Sequence, residues 1–221
     1  MDHLPDCRSQ VNGSIVIDMK SDAQGRLRRP GRPLSFDRET ALRQAMLLFW
    51  QHGYEGTSLS DLTAAMGVTA PSIYTAFGDK RRLFLEAVDR YLSGRSTPIL
   101  AIEQAATARD AAWSMLQAAA AAFTGADTPP GCLLASAAIS CSRAASDVKT
   151  ELATIRQAIE AALRRRIEAD MAGGILDAST DPDALAGQVM AVVQGMSTLA
   201  RDGASREKLL RIAGTTMRAW P

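Results

Sequence analysis

The chain has 221 residues, an apolar fraction of 47%, aromatics at only 5% and a formal net charge of +1, which allows one or two globular domains with a real core. No apolar run approaches the roughly 20 residues that a membrane span needs. The N-terminus lacks the basic-then-apolar order of a secretory signal, so a cytoplasmic location and no membrane partner are expected. Abundant Ala and Leu favour helices over strands.

Residues 1–35 are polar and without sustained helical period, and they read as a disordered basic arm in which Met19 offers an alternative start. Between Lys20 and Arg38 stand six basic and two acidic residues, a local excess of +4 that suits a polyanion. In Arg28-Arg29-Pro30-Gly31-Arg32-Pro33 the prolines keep the chain extended. Such a segment can lay Arg32 in an A·T-rich minor groove; the alternative is a solubilising tail.

A first helix is expected from about Asp37 to His52, because Leu42, Ala45, Met46 and Phe49 recur at i, i+3, i+4, i+7. Ser35 or Asp37 can cap it and Gly53 stops it. A second helix spans about Leu59–Met66, with Ser58 as N-cap, Asp61 in its first turn, and Leu62 and Met66 facing inward. Gly67 supplies a positive φ for a tight turn. Thr69 then caps a third helix with Pro71 in its first turn and Ile73 and Phe77 on one face. Gly78 ends it and Asp79 caps a fourth helix, whose apolar stripe is Leu83, Phe84, Ala87, Val88 and Tyr91. Two short helices around a glycine turn form a helix-turn-helix, which places its second helix in the DNA major groove. Thr57 and Ser58 also present a helix N-terminus, a ready anion site.

Beyond Pro98 the pattern stays helical, with helices expected near 98–107, 109–124, 131–143, 147–172, 182–202 and 205–219. The fold class is therefore all-α. Domain boundaries are expected at 1–35 for the arm, 36–95 for the helix-turn-helix domain and 96–221 for a helical body. On the 182–202 helix, Gly187, Ala191 and Gly195 recur every fourth residue. That smooth strip, flanked by Leu185, Val189, Val192, Val193 and Met196, suits close packing with a second copy; the alternative is packing within one chain.

The run Thr57-Ser58-Leu59, Ala65-Met66-Gly67-Val68, Ser72-Ile73-Tyr74-Thr75-Ala76-Phe77-Gly78-Asp79-Lys80 and Leu83-Phe84, preceded by Phe49 and Gly53-Tyr54, resembles the DNA-binding domain of TetR-type transcriptional regulators. The end of the chain, from Gln194-Gly195-Met196 through Ala200-Arg201-Asp202-Gly203-Ala204-Ser205 to Ala219-Trp220-Pro221, resembles the ligand-binding body of one subgroup. That subgroup includes copper-responsive repressors and repressors of outer-membrane genes.

The resemblance implies that the third helix reads DNA through Thr69, Ala70, Ser72, Tyr74 and Thr75, and that Lys80 binds backbone phosphate. The third helix carries no Arg, Asn or Gln, so it lacks the long bidentate base readers. Small side chains can approach thymine methyls, and the hydroxyls of Ser72, Tyr74 and Thr75 suit phosphates. Tyr74 has a competing reading as a core aromatic. The resemblance further implies a homodimer on a palindromic operator, with Gly187, Ala191, Val192 and Gly195 at the interface beside the 147–172 helix. A small-molecule effector in the helical body would shift the fourth helix, and Trp113, Met115, Leu116, Phe123, Cys132 and Leu134 are candidates for its pocket or for plain core.

The expected function is thus a ligand-responsive DNA-binding regulator, a repressor, with no cofactor. A thiol- or metal-sensing repressor of the same fold is the alternative. The three cysteines, Cys7, Cys132 and Cys141, have no metal spacing, and only His3 and His52 are available as imidazoles. On one continuous helix Cys132 and Cys141 would lie about 180° and roughly 13 Å apart, which precludes a shared metal or disulfide. An enzyme is not expected, because no phosphate loop, nucleophile elbow, His-Glu-x-x-His or carboxylate–histidine cluster is present. A helical dimer without DNA binding conflicts with Lys80, Tyr74 and the basic arm.

Overall fold

A computed structural model describes residues 36–93, 98–137 and 145–221. The basic arm with Arg32, and both Cys7 and Cys141, lie outside these residues. Among the described residues the regular elements are ten helices, and Leu34–Pro221 form one compact unit.

Helix α1 (Arg38–His52) begins where Asp37 accepts a hydrogen bond from the Glu39 N–H at 3.1 Å. It buries Ala41, Leu42, Ala45, Met46, Phe49 and Trp50, the face its period announces. Helices α2 (Leu59–Met66) and α3 (Ala70–Phe77) have eight residues each, too short to persist in water on their own. Their caps and the burial of Leu62, Met66, Ile73 and Phe77 hold them. Helix α4 (Lys80–Ser93) packs along α1 and buries Leu83, Phe84, Ala87, Val88 and Tyr91. Aromatic edges fasten this cluster: Phe84 meets Phe49 and Tyr54 at 5.1 Å between ring centroids, and Trp50 meets Tyr91 at 4.9 Å.

The body comprises α5 (Pro98–Glu103), α6 (Ala108–Phe123), α7 (Leu133–Ser136), α8 (Ser146–Ala172), α9 (Pro182–Arg201) and α10 (Arg206–Arg218). Helix α6 lies against α9 and α10, and α8 lies against α9 and α5. Buried Ala108, Ala111, Ala112, Ala119 and Ala120 on α6 allow that close approach.

Two expected helices differ from the structure. The one expected over 98–107 ends at Glu103, because Thr107 is extended and uses its hydroxyl oxygen to accept from the Asp110 N–H at 3.1 Å, capping α6. The one expected over 131–143 starts only at Leu133. Gly131 has φ +83°, its N–H is bonded to the Phe123 carbonyl, and Cys132 is extended. Its described part ends at Ser136, and residues 138–144 lie outside the described residues.

Candidate nucleic-acid interface

The geometry of the helix-turn-helix starts from its caps. The Ser58 hydroxyl oxygen accepts from the Asp61 N–H at 3.1 Å, and Asp61 accepts from the Ser58 N–H at 2.8 Å and its hydroxyl at 2.6 Å. This reciprocal capping box satisfies two donors that α2 would otherwise leave open. The Ser58 hydroxyl, then its N–H, hold the Asp61 carboxyl below its ordinary range. Gly67 turns the chain at φ 66°, ψ 31°, in the left-handed region. Thr69 caps α3, its hydroxyl 2.9 Å from that of Ser72.

Ile73 and Phe77 face inward with 0% and 3% of their surface exposed, whereas Tyr74 between them is 52% exposed. Tyr74 is therefore no core aromatic. Thr69, Pro71 and Thr75 are exposed on the same helix, with Ala70 and Ser72 half-buried. The Thr75 hydroxyl donates to the Pro71 carbonyl at 2.8 Å, which leaves its oxygen able to accept. The outward face of α3 is thus short, neutral and hydroxyl-rich, and it can approach a groove closely.

Lys80 opens α4 with its ammonium 4.6 Å from the centroid of the Tyr54 ring. Partial burial lowers its pKa, against the opposing pull of Glu55 and Asp61. A phosphate at this point would restore the charge balance that burial disturbs.

Thr57 directly precedes Ser58, the α2 N-cap. Its side chain is fully buried and its hydroxyl donates to the Gly53 carbonyl at 2.7 Å. That bond closes the α1–α2 turn.

Arg38 is a residue that periodicity could not single out. Its guanidinium lies 4.4 Å from the Phe77 ring centroid, pairs with Glu86 at 2.5 Å, and donates to the Ala76 carbonyl at 3.4 Å. It ties the end of α3 to α1 and α4 and so fixes the angle of the outward face.

A second feature is a cavity of about 390 Å³ bounded by α4 to α9. Of the candidate pocket residues, Met115, Phe123, Cys132 and Leu134 line it, whereas Trp113 and Leu116 do not. Leu116 is fully buried in packed core, turned about 100° around α6 from Met115. Trp113 is half-buried and packs against the core elsewhere. The cavity also draws on Tyr91, Arg156, Ile159, Met190 and Gln194, which sequence reading did not connect. The Tyr91 hydroxyl lies 3.4 Å from the Cys132 sulfur as donor.

On α9 the small-residue strip divides. Ala191 and Gly195 are exposed and Val192 is half-buried. Gly187 is half-buried, and a side chain there would stand 3.4 Å from the Glu160 carboxylate of α8, an ordinary contact distance. Among the described residues no group of three His, Cys, Asp or Glu could hold a metal ion, and no helix is long and apolar enough to cross a membrane.

Residues 41–87 match the family of bacterial regulatory proteins of the tetR type, and residues 109–213 match the tetracyclin repressor-like C-terminal domain. The chain is 40% identical over 194 residues to the HTH-type transcriptional repressor ComR of Escherichia coli (strain K12), covering 86% of this chain and 92% of that one. The TetR family regulator CifR, solved as a cysteine mutant complexed with 26-base-pair double-strand operator DNA, superposes with a TM-score of 0.81. It is 38% identical, covering 86% of this chain and all of that one. A TetR-type regulator from Rhodococcus sp. RHA1 is likewise 38% identical, over 84% of this chain and 99% of that one, with a TM-score of 0.59. The chain belongs to the TetR family and is a non-enzymatic, DNA-binding transcriptional repressor.

Proposed function

We propose that two copies of the chain bind a palindromic operator in the cytoplasm, and that a small molecule in the body's cavity releases them. The boundaries that serve this division of labour are 36–95 for DNA docking and 96–221 for pairing and effector binding. The observation that carries the reading is the exposed Tyr74–Thr75 face of α3 beside Lys80. The operator complex of CifR supports it. Thr69, Ala70, Ser72, Tyr74 and Thr75 meet the groove, Lys80 and the α2 N-terminus at Ser58 meet phosphates, and Arg32 lies in the flanking minor groove. One recognition helix offers little contact. Pairing through Gly187, Ala191, Val192 and Gly195 would set two of them about 34–36 Å apart on successive turns of DNA.

Helix α7 gives the cavity a route to the DNA-docking helices. Cys132 and Leu134 line the cavity, while the Ala137 carbonyl just after α7 accepts from the Tyr54 N–H at 3.0 Å. Tyr54 in turn lies under Lys80. Arg81 on α4 also pairs with Asp147 on α8. A ligand that displaces α7 or α8 therefore biases Lys80 and α4. Coupling of about 1–3 kcal/mol is typical of such switches.

Selection from a random duplex pool at near-physiological salt tests the reading. Enrichment of a palindrome is expected, and Tyr74→Ala should weaken binding to it by about 1–2 kcal/mol without changing thermal stability. A folded protein that enriches no motif, with or without metabolite extract, sinks the proposal. A thiol-sensing variant of the reading rests on Cys132 in the cavity wall; it fails if Cys132→Ser responds to oxidants and electrophiles as the native chain does.

A further inference from the structure

We propose that the cavity takes an apolar molecule bearing one anionic head group, a carboxylate, and that Arg156 reads that group. The inference rests on the cavity being the effector site. Among the described residues its wall is built almost wholly from aliphatic and aromatic side chains, and Arg156 is the one charged side chain among the described lining residues. The arginines on α8 make an instructive contrast. Arg164 pairs with Glu168 at 2.8 Å, Arg165 with Glu103 at 4.0 Å and Arg166 with Asp170 at 2.7 Å. Arg156 pairs with no carboxylate among the described residues. Its described hydrogen bond is from Nη1 to the Leu134 carbonyl at 2.5 Å.

A guanidinium carries five N–H donors in a planar fork that matches a carboxylate. Half-buried against an apolar wall, its charge is partly stripped of water, and an anion is the partner that offsets this. The same bond to Leu134 joins Arg156 to α7, so the head group would bind where α8 and α7 are tied. Ser114 and Gln194 add neutral polar groups to the wall. At about 30 Å³ for each water-sized group, the cavity holds roughly a dozen non-hydrogen atoms. That size and lining suit a medium-chain aliphatic or a single-ring aromatic acid. They do not suit a nucleotide, a sugar phosphate or a cation.

Octanoate, 1-octanol and octylamine share a chain and differ in head-group charge, so they separate the contributions. The full chain carrying ¹³C-methyl methionine reports binding inside the cavity through Met115 and Met190, both on its wall. Titration calorimetry supplies the affinities. Octanoate should shift both methyl signals and bind at least about tenfold more tightly than 1-octanol, with octylamine weakest. Arg156→Gln keeps a donor for the Leu134 carbonyl and drops the charge, and it should bring octanoate to the level of 1-octanol. Arg156→Lys should keep a preference for the acid. Equal binding of octanoate and 1-octanol by the native chain, or a preference for octanoate that survives in Arg156→Gln, overturns the anion assignment alone. If Arg156→Gln does not fold, the three probes on the native chain still decide. If no probe moves Met115 or Met190, the effector reading of the cavity falls, and the anion assignment with it.

Discussion

Gly67 stands in the left-handed region at φ 66°, and a Cβ built on it would meet no atom within 4 Å. The cost of Gly67→Ala is therefore backbone strain alone, about 1–2 kcal/mol, and a urea unfolding midpoint would register it. At Asp61 the effect is one of pH. Its carboxyl is held below the ordinary 3.8 by the Ser58 hydroxyl and N–H. The folded pKa is depressed, so the stabilisation is fully present above the unfolded value and is lost as pH falls through the folded one. Urea midpoints of the native chain and Asp61→Asn should differ by a constant amount near neutrality and converge below pH 4; parallel curves throughout would show that the capping box is not the source. These caps and turns were legible in the sequence because their chemistry spans three or four residues. The burial of Thr57 was not legible, because it depends on α1 and the turn around it, which no local pattern records.

At the scale of the element, α6 depends on α8 for its start. Asp170 on α8 is 2% exposed and accepts from the Ala108 N–H at 2.6 Å and from Arg166 at 2.7 Å. Arg166 also donates to the Ala106 carbonyl at 2.5 Å. One acid thus satisfies the first turn of α6 and neutralises a guanidinium at the α5–α6 corner. Asp170→Ala leaves both partners unmatched and should cost about 3–5 kcal/mol, measured by chemical denaturation. A loss below about 1 kcal/mol would mean that water replaces the carboxylate. The i, i+4 spacing of Arg166 and Asp170 is common to exposed helical pairs and does not by itself reveal the burial of Asp170. Helix existence and type were legible from apolar spacing, yet the stop of α5 at Glu103 depends on Thr107 turning outward to cap the next helix.

At the scale of the whole molecule, the exposed strip on α9 separates two roles that the sequence left open. Ala191 is exposed in the single chain, so Ala191→Glu should change monomer stability by no more than about 0.5 kcal/mol. Sedimentation should nonetheless show the variant as a monomer, with weakened binding to a palindromic duplex. A lowered unfolding midpoint with the dimer intact would return the strip to packing within one chain.

The helix-turn-helix and its outward hydroxyl face were determined by short-range order: apolar residues at helical spacing, capping hydroxyls and a glycine where only glycine turns without strain. The cavity was decided by tertiary structure alone. Among the described residues six helices contribute to its wall, so Met115 lines it while Leu116 does not, according to a rotation of α6 that its neighbours set. Arg156 is like the other α8 arginines in sequence. Only the packing of α7 and α9 around it decides that its charge borders an apolar space with no carboxylate among the described lining residues.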